Sequence, residues 1–175
     1  MFIWTCCDIN PRFAEYREKV KELNAELKLS EAALALPQHV SLKISFELDE
    51  ALAKHCMKDI VEHLKTAKPF TAKVADLELR DGLIWLRMEE NEQFKELHAE
   101  LDEIAKSYAV KPHELDKQFI FHSTVITDEN AEKLAEAFEK IKVIPYPDEL
   151  KINTFLVGYS DDGVSYKVAR RIKVK

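Results

Sequence analysis

The chain has 175 residues, 46% hydrophobic and 33% charged, enough for one compact domain with a real core and too few for two full domains. Six prolines and three glycines leave no low-complexity tract, and no apolar run reaches the roughly 20 residues of a membrane span. With 26 Lys and Arg against 32 Asp and Glu, the net charge of −6 disfavours a protein that coats long nucleic acid, while a local anion site remains open.

Residues 2–7 form an apolar run of strand formers without the basic flank of a signal peptide. Three cysteines, Cys6, Cys7 and Cys56, make neither an even disulfide framework nor a C-x-x-C knuckle, so a reducing cytoplasm is expected, with Cys6 and Cys7 buried rather than reactive. From Pro11 onward Phe13, Tyr16, Val20, Leu23 and Leu27 recur at three- and four-residue steps, predicting an amphipathic helix with Asn10 as its cap. Residues 30–36 are a short helix or a loop ending at Pro37. Alternation over 38–46 predicts a strand, with Val40, Leu42 and Ile44 on one face and His39, Ser41, Lys43 and Ser45 on the other.

A second helix follows Asp49, with Leu52, Cys56, Ile60 and Leu64 inside, and stops before Pro69. Strands at 71–79 and 83–88 meet at Asp81-Gly82, a dipeptide that tolerates the positive φ of a tight hairpin. Asn91 caps a third helix with Phe94, Leu97, Leu101, Ile104 and Tyr108 inside and Glu92, Glu96, Glu100 and Asp102 outside. A strand over 118–126, a helix over 131–141 and two strands turning at Asp161-Asp162-Gly163 complete the chain. Interleaved helices and hairpins of this kind predict an α+β fold with largely antiparallel sheets.

Two strands carry an echo: His39-Val40-Ser41-Leu42 and His122-Ser123-Thr124-Val125, about half a chain apart, each leading into a helix. Two such matches are expected in only about 2% of shuffled sequences. Period-2 geometry turns each histidine and the hydroxyl two places on toward the same face. Two imidazoles can then divide labour, one taking a proton from an attacking oxygen and the other giving one to the leaving oxygen, with no metal required. Ser41 and Thr124 can donate to phosphate oxygens as charge builds, and Lys43, continuing the face of His39, can supply a positive charge.

In these motifs the sequence resembles the two-histidine (2H) phosphoesterase superfamily, the LigT-like group of 2'-5' RNA ligases and RNA 2',3'-cyclic phosphodiesterases. Its mark is a duplicated H-x-[S/T]-hydrophobic motif on strands of two pseudo-symmetric lobes around a central cleft, and the likeness extends through Leu83-Ile84-Trp85-Leu86 to essentially the whole chain. The resemblance implies His39 and His122 as catalytic residues, Ser41 and Thr124 as phosphate ligands, and one 2H domain over 1–175 with two related halves. It implies hydrolysis of a 2',3'-cyclic phosphate on an RNA terminus or a small nucleotide, with reversible 2'-5' ligation as an accompanying activity. No cofactor, metal or membrane partner is expected, and a cytoplasmic monomer is. Ser41 stands where Thr is commoner, and no basic residue follows Val125 where RNA-processing members often carry Arg. A non-catalytic RNA- or nucleotide-binding module of the same fold is the alternative.

The remaining histidines, His55, His63, His98 and His113, lack the i, i+4 pairing of a metal site and are expected at the surface. Lys167, Arg170, Arg171, Lys173 and Lys175 form the one basic cluster, which either guides an RNA backbone or charges an edge strand against aggregation. Trp4, Phe46, Tyr159 and Tyr166 could stack a base, although strand aromatics are usually core.

Overall fold

The computed structural model describes residues 1–175. It opens with β1 (Phe2–Asp8) and α1 (Asn10–Leu27), whose buried stripe contains Phe13, Tyr16, Val20 and Leu23 as the spacing predicts. Asn10 does not cap the helix. Its own N–H is received by Asp8 Oδ1 at 3.0 Å, and its side-chain oxygen accepts the N–H of Gln38. One 3₁₀ turn, Ala32–Leu34, fills the stretch before Pro37.

The single strand expected over 38–46 is broken in two: β2 (His39–Ser41) and β3 (Phe46–Glu47). Both pair antiparallel with β1, but their registers differ by two residues, so the chain bulges at 42–45 and alternation ends at Ser41. In α2 (Glu50–Leu64) the buried stripe is Ala53, Cys56, Ile60 and Leu64, while Leu52 is 44% exposed. Four-residue steps overshoot a helical turn by about 40° each, which carries Leu52 off the face. The hairpin of β4 (Phe70–Arg80) and β5 (Leu83–Met88) turns at Asp81-Gly82, with Gly82 at φ +76°.

Asn91 caps α3 (Glu92–Ser107) by accepting the N–H of Phe94, and Asn130 caps α4 (Ala131–Ile141) by accepting that of Lys133. Between them, β6 (His122–Thr127) starts later than the expected 118–126, because a 3₁₀ turn at Glu114–Gln118 takes up its first residue. The chain ends with β7 (Glu149–Ile152), which the sequence reading did not identify, then β8 (Thr154–Ser160) and β9 (Lys167–Lys173).

These strands form two antiparallel sheets, ordered β2-β1-β8-β9 (β3 also pairing with β1) and β6-β5-β4-β7. Helix α2 packs on the first sheet and beside α3, while α1 and α4 adjoin each other over the second. The fold is therefore the expected α+β arrangement of two antiparallel lobes. Its decisive feature is that the two histidine strands, β2 and β6, are sheet edges that face each other where the lobes meet. Alternation along β1 separates the first sheet's faces: Ile3 and Cys7 join the main core, whereas Trp4 and Cys6 form a small cluster with Leu156 on the side shared with His39 and Ser41. No helix is long and apolar enough to cross a membrane.

Candidate active site

Each histidine is held by the same local device. His39 Nδ1 donates to the carbonyl of Pro37 at 2.7 Å, and His122 Nδ1 donates to the carbonyl of Ile120 at 2.7 Å. A carbonyl only accepts, so Nδ1 carries the proton in both rings and Nε2 is left as the acceptor of the neutral imidazole. Each ring also rests on a tryptophan of the neighbouring strand, Trp4 at 4.8 Å edge-on for His39 and Trp85 at 4.0 Å for His122. These are the chain's only two tryptophans.

Both tryptophans are themselves held in place. Gly158, opposite Trp4 on β8, leaves the ring room to lie across the sheet, since a Cβ there would stand 2.8 Å from Trp4 Cε3. Trp85 donates its indole N–H to Glu78 at 2.9 Å, across the β4–β5 hairpin. Burial works against the Glu78 charge, but hydrogen bonds from Trp85, Arg87 and Arg80 outweigh it and pull the carboxyl down to about 2. Arg87 is the cross-strand partner of His122, so a guanidinium does stand beside the second motif, supplied by β5 rather than by residues after Val125.

Gln38, immediately before His39, fastens the two lobes together. Its side-chain amide donates to Ser123 Oγ at 2.6 Å and to the carbonyl of Thr124 at 2.9 Å, and both Gln38 and Ser123 are buried. The second motif is thereby tied to the first by a side chain within each motif. Arg17 of α1 braces the same segment from behind, its guanidinium donating to the carbonyls of Leu34 at 2.6 Å and Leu36. Ser41 and Thr124, two residues beyond their histidines, are half-buried on the same faces as the imidazoles. Sequence reasoning missed Gln38 and Arg17. The signal was present, for each is a polar residue at a position that the hydrophobic pattern assigns to the interior.

Lys43 is not brought to this site. Only 3% of its side chain is exposed, and its ammonium lies between Asp102 at 2.8 Å and Asp116 at 2.9 Å. The bulge after Ser41 turns it inward, so its charge is neutralised by an internal ion cluster. Asp102, expected on the outer face of α3, belongs to that cluster too. So does His98, expected at the surface: it donates Nδ1–H to Leu42 O at 2.8 Å and stacks on Phe119. All three cysteines are buried, and burial pushes the thiols upward from their ordinary values. Tyr166 stands 6.2 Å from Trp4, its hydroxyl donating to Ser45.

Electrostatically the two rings are alike in kind and different in detail. Burial lowers both imidazoles from their ordinary value, and each carbonyl hydrogen bond offsets part of that drop. His39 also feels the charges of His122 and Arg17, which lower it further, and the buried carboxylate of Asp8, which raises it. Asp8 is directly opposite His39 in the strand pairing and is ion-paired to Arg171 of β9. No three His, Cys, Asp or Glu side chains converge as a metal-binding group.

With Nδ1 committed in both rings, a hydroxyl two residues beyond each and a partly desolvated setting, each imidazole can exchange a proton at Nε2. The comparisons agree in direction. Among curated proteins, a provisionally named phosphoesterase of Geobacillus thermodenitrificans (strain NG80-2) is 26% identical over 136 residues, covering 76% of each chain. A provisionally named phosphoesterase of Oceanobacillus iheyensis is 25% identical over 136 residues, covering 76% of this chain and 77% of its own. Among solved structures, E. coli LigT complexed with 3'-AMP superposes with a TM-score of 0.61 at 17% identity, over 99% of this chain and 96% of that one. A Thermus thermophilus protein gives 0.60 at 13%, over 99% and 97%. Residues 9–163 match the model of the 2'-5' RNA ligase superfamily, and the chain belongs to that superfamily.

Proposed function

We propose that the protein is a phosphoesterase that opens a 2',3'-cyclic phosphate, on an RNA terminus or a small nucleotide, by acid–base catalysis at His39 and His122. The observation that carries this reading is the repeated device: two imidazoles on facing edge strands, each with Nδ1 committed to the carbonyl two residues back and Nε2 free. One neutral Nε2 takes a proton from water as its oxygen attacks phosphorus, and the other, protonated, gives a proton to the departing ribose oxygen. Ser41 and Thr124 donate to the non-bridging oxygens, on which negative charge builds.

His122 is the base in this reading and His39 the acid, an assignment that follows the superfamily; the fields at the rings do not set it, since Asp8 raises His39 while burial, His122 and Arg17 lower it by more. Burial disfavours the charged form of both rings in the free protein, and an arriving phosphate anion favours it, which lets one ring hold the proton it donates. E. coli LigT structures hold 3'-AMP and phosphate, ligands of the class this chemistry releases, which supports a nucleotide phosphate as the ligand here.

The test is incubation with 2',3'-cyclic nucleotides in excess chelator, followed by identification of the product as a 2'- or 3'-phosphate. Ring opening at undiminished rate is expected. Tight binding without turnover would instead identify a non-catalytic nucleotide-binding module, and loss of activity that added metal restores would overturn the two-histidine chemistry.

A further inference from the structure

A groove of about 770 Å³ lies away from the histidines, between α2 and β9. Its floor is apolar, with Met57, Val61, Val157 and Ile172, and its rim is cationic, with Lys54, Lys58, Lys65, Arg170, Arg171 and Lys173 against the single acid Glu62. In a chain of net charge −6 this is a strong local reversal of sign. Several of these charges are already spent: Lys54 pairs with Glu50, Lys65 with Glu62 and Arg171 with Asp8. Lys58, Arg170 and Lys173 have no carboxylate within ion-pair distance and remain for a ligand.

We propose that this groove binds the phosphate backbone of an RNA chain whose end occupies the histidine site, an inference that rests on the phosphoesterase reading of that site. Strand pairing sets Ser41 and Arg171, a residue of the groove rim, three strands apart, with the buried Cys6 and Leu156 between them. Three strand spacings make that distance about 14 Å, which a few nucleotides span. Beyond Arg171, the cations of β9 continue around the edge strand into the groove, so a chain entering the site has a positive path to follow.

An acidic peptide is the competing occupant, and β9 as an edge strand could in principle take one as an added strand. The edge argues against it. Lys167, Arg170, Arg171 and Lys173 project charge to both faces of β9, the pattern by which edges resist strand addition. A polyanion with charge along its backbone fits such a rim better than a strand needing side-chain pockets.

Binding of a non-cleavable RNA of about 12 nucleotides, followed by fluorescence anisotropy, tests this without requiring turnover. The triple variant Lys58→Gln, Arg170→Gln, Lys173→Gln should weaken binding by about tenfold or more and flatten a salt dependence of log K on log[salt] whose slope in the natural protein is about −2, three single-strand phosphates' worth. Its kcat/KM on a cyclic mononucleotide should be unchanged, which also certifies that it folds. Equal RNA affinity in variant and natural protein would overturn the proposal, as would tighter binding of an acidic peptide of matched charge. Failure of the natural protein to open a cyclic mononucleotide counts against the phosphoesterase reading, whereas length-independent RNA binding counts against the groove.

Discussion

The two histidine lobes are wired alike and charged differently. Around both His39 and His122 the backbone carbonyl two residues back fixes the tautomer, a tryptophan from the next strand walls the ring, and a hydroxyl stands two residues on. Orientation is thus solved the same way twice. The surroundings then diverge: His39 sits among Asp8, Arg17 and His122, while His122 is shifted by burial and its carbonyl bond alone, the charges of Glu78, Arg80 and Arg87 being consumed by one another. On the proposed reading a repeated geometry supplies two proton-transfer groups, and the fields around them differ.

The largest losses fall at the rings themselves. His39→Ala and His122→Ala should each lower turnover of a cyclic nucleotide by about 10²–10⁴-fold, with the double variant costing far less than the product, as expected of groups that act as a unit. Next is Lys43→Met, which leaves Asp116 buried without its cation. Thermal or urea unfolding should register a loss of about 3 kcal/mol, toward the lower end for a broken buried pair because Lys106 still serves Asp102, while turnover per folded molecule stays unchanged. Lost turnover at full stability would return Lys43 to the site. Ser41→Ala and Thr124→Ala should cost about tenfold each in kcat, the loss of one charge-assisted hydrogen bond in the transition state, measured by steady-state kinetics.

The smallest effects distinguish the two rings. Trp85→Leu should wet His122 and move its limb of the pH profile upward toward 6.5, because burial is what depresses that ring. Trp4→Leu should move the other limb less, since His122 and Arg17 still bear on His39. Equal shifts would mean that the two fields do not differ.

Much of this was legible before any fold was known. A two-residue turn at Asp81-Gly82 sets the hairpin register, and that register alone places Glu78 opposite Trp85 and Asp76 opposite Arg87. The histidines and their hydroxyls were legible because a period-2 motif repeated at half the chain length carries both identity and facing. Lys43 was misread because alternation was extended past Ser41, and nothing local marks a bulge whose cause is the pairing of β3 with the start of β1. The contacts of His39 with Trp4 and of Gln38 with Ser123 join residues 35 and 85 positions apart, so they depend on which edges meet, a property of the assembled sheets. Four-residue stretches such as β7 are too short for periodicity to declare.

Whether His39 and His122 are one acid–base pair with both rings shifted down by burial can be read from kcat/KM against pH for the natural protein and the two single alanine variants. The pH profile of kcat/KM reports the free protein's ionisations, so the natural curve should be bell-shaped with its optimum below pH 6.5, and each variant should lose one limb while keeping the other. A curve centred well above 6.5, or both limbs surviving in both variants, would contradict that pairing.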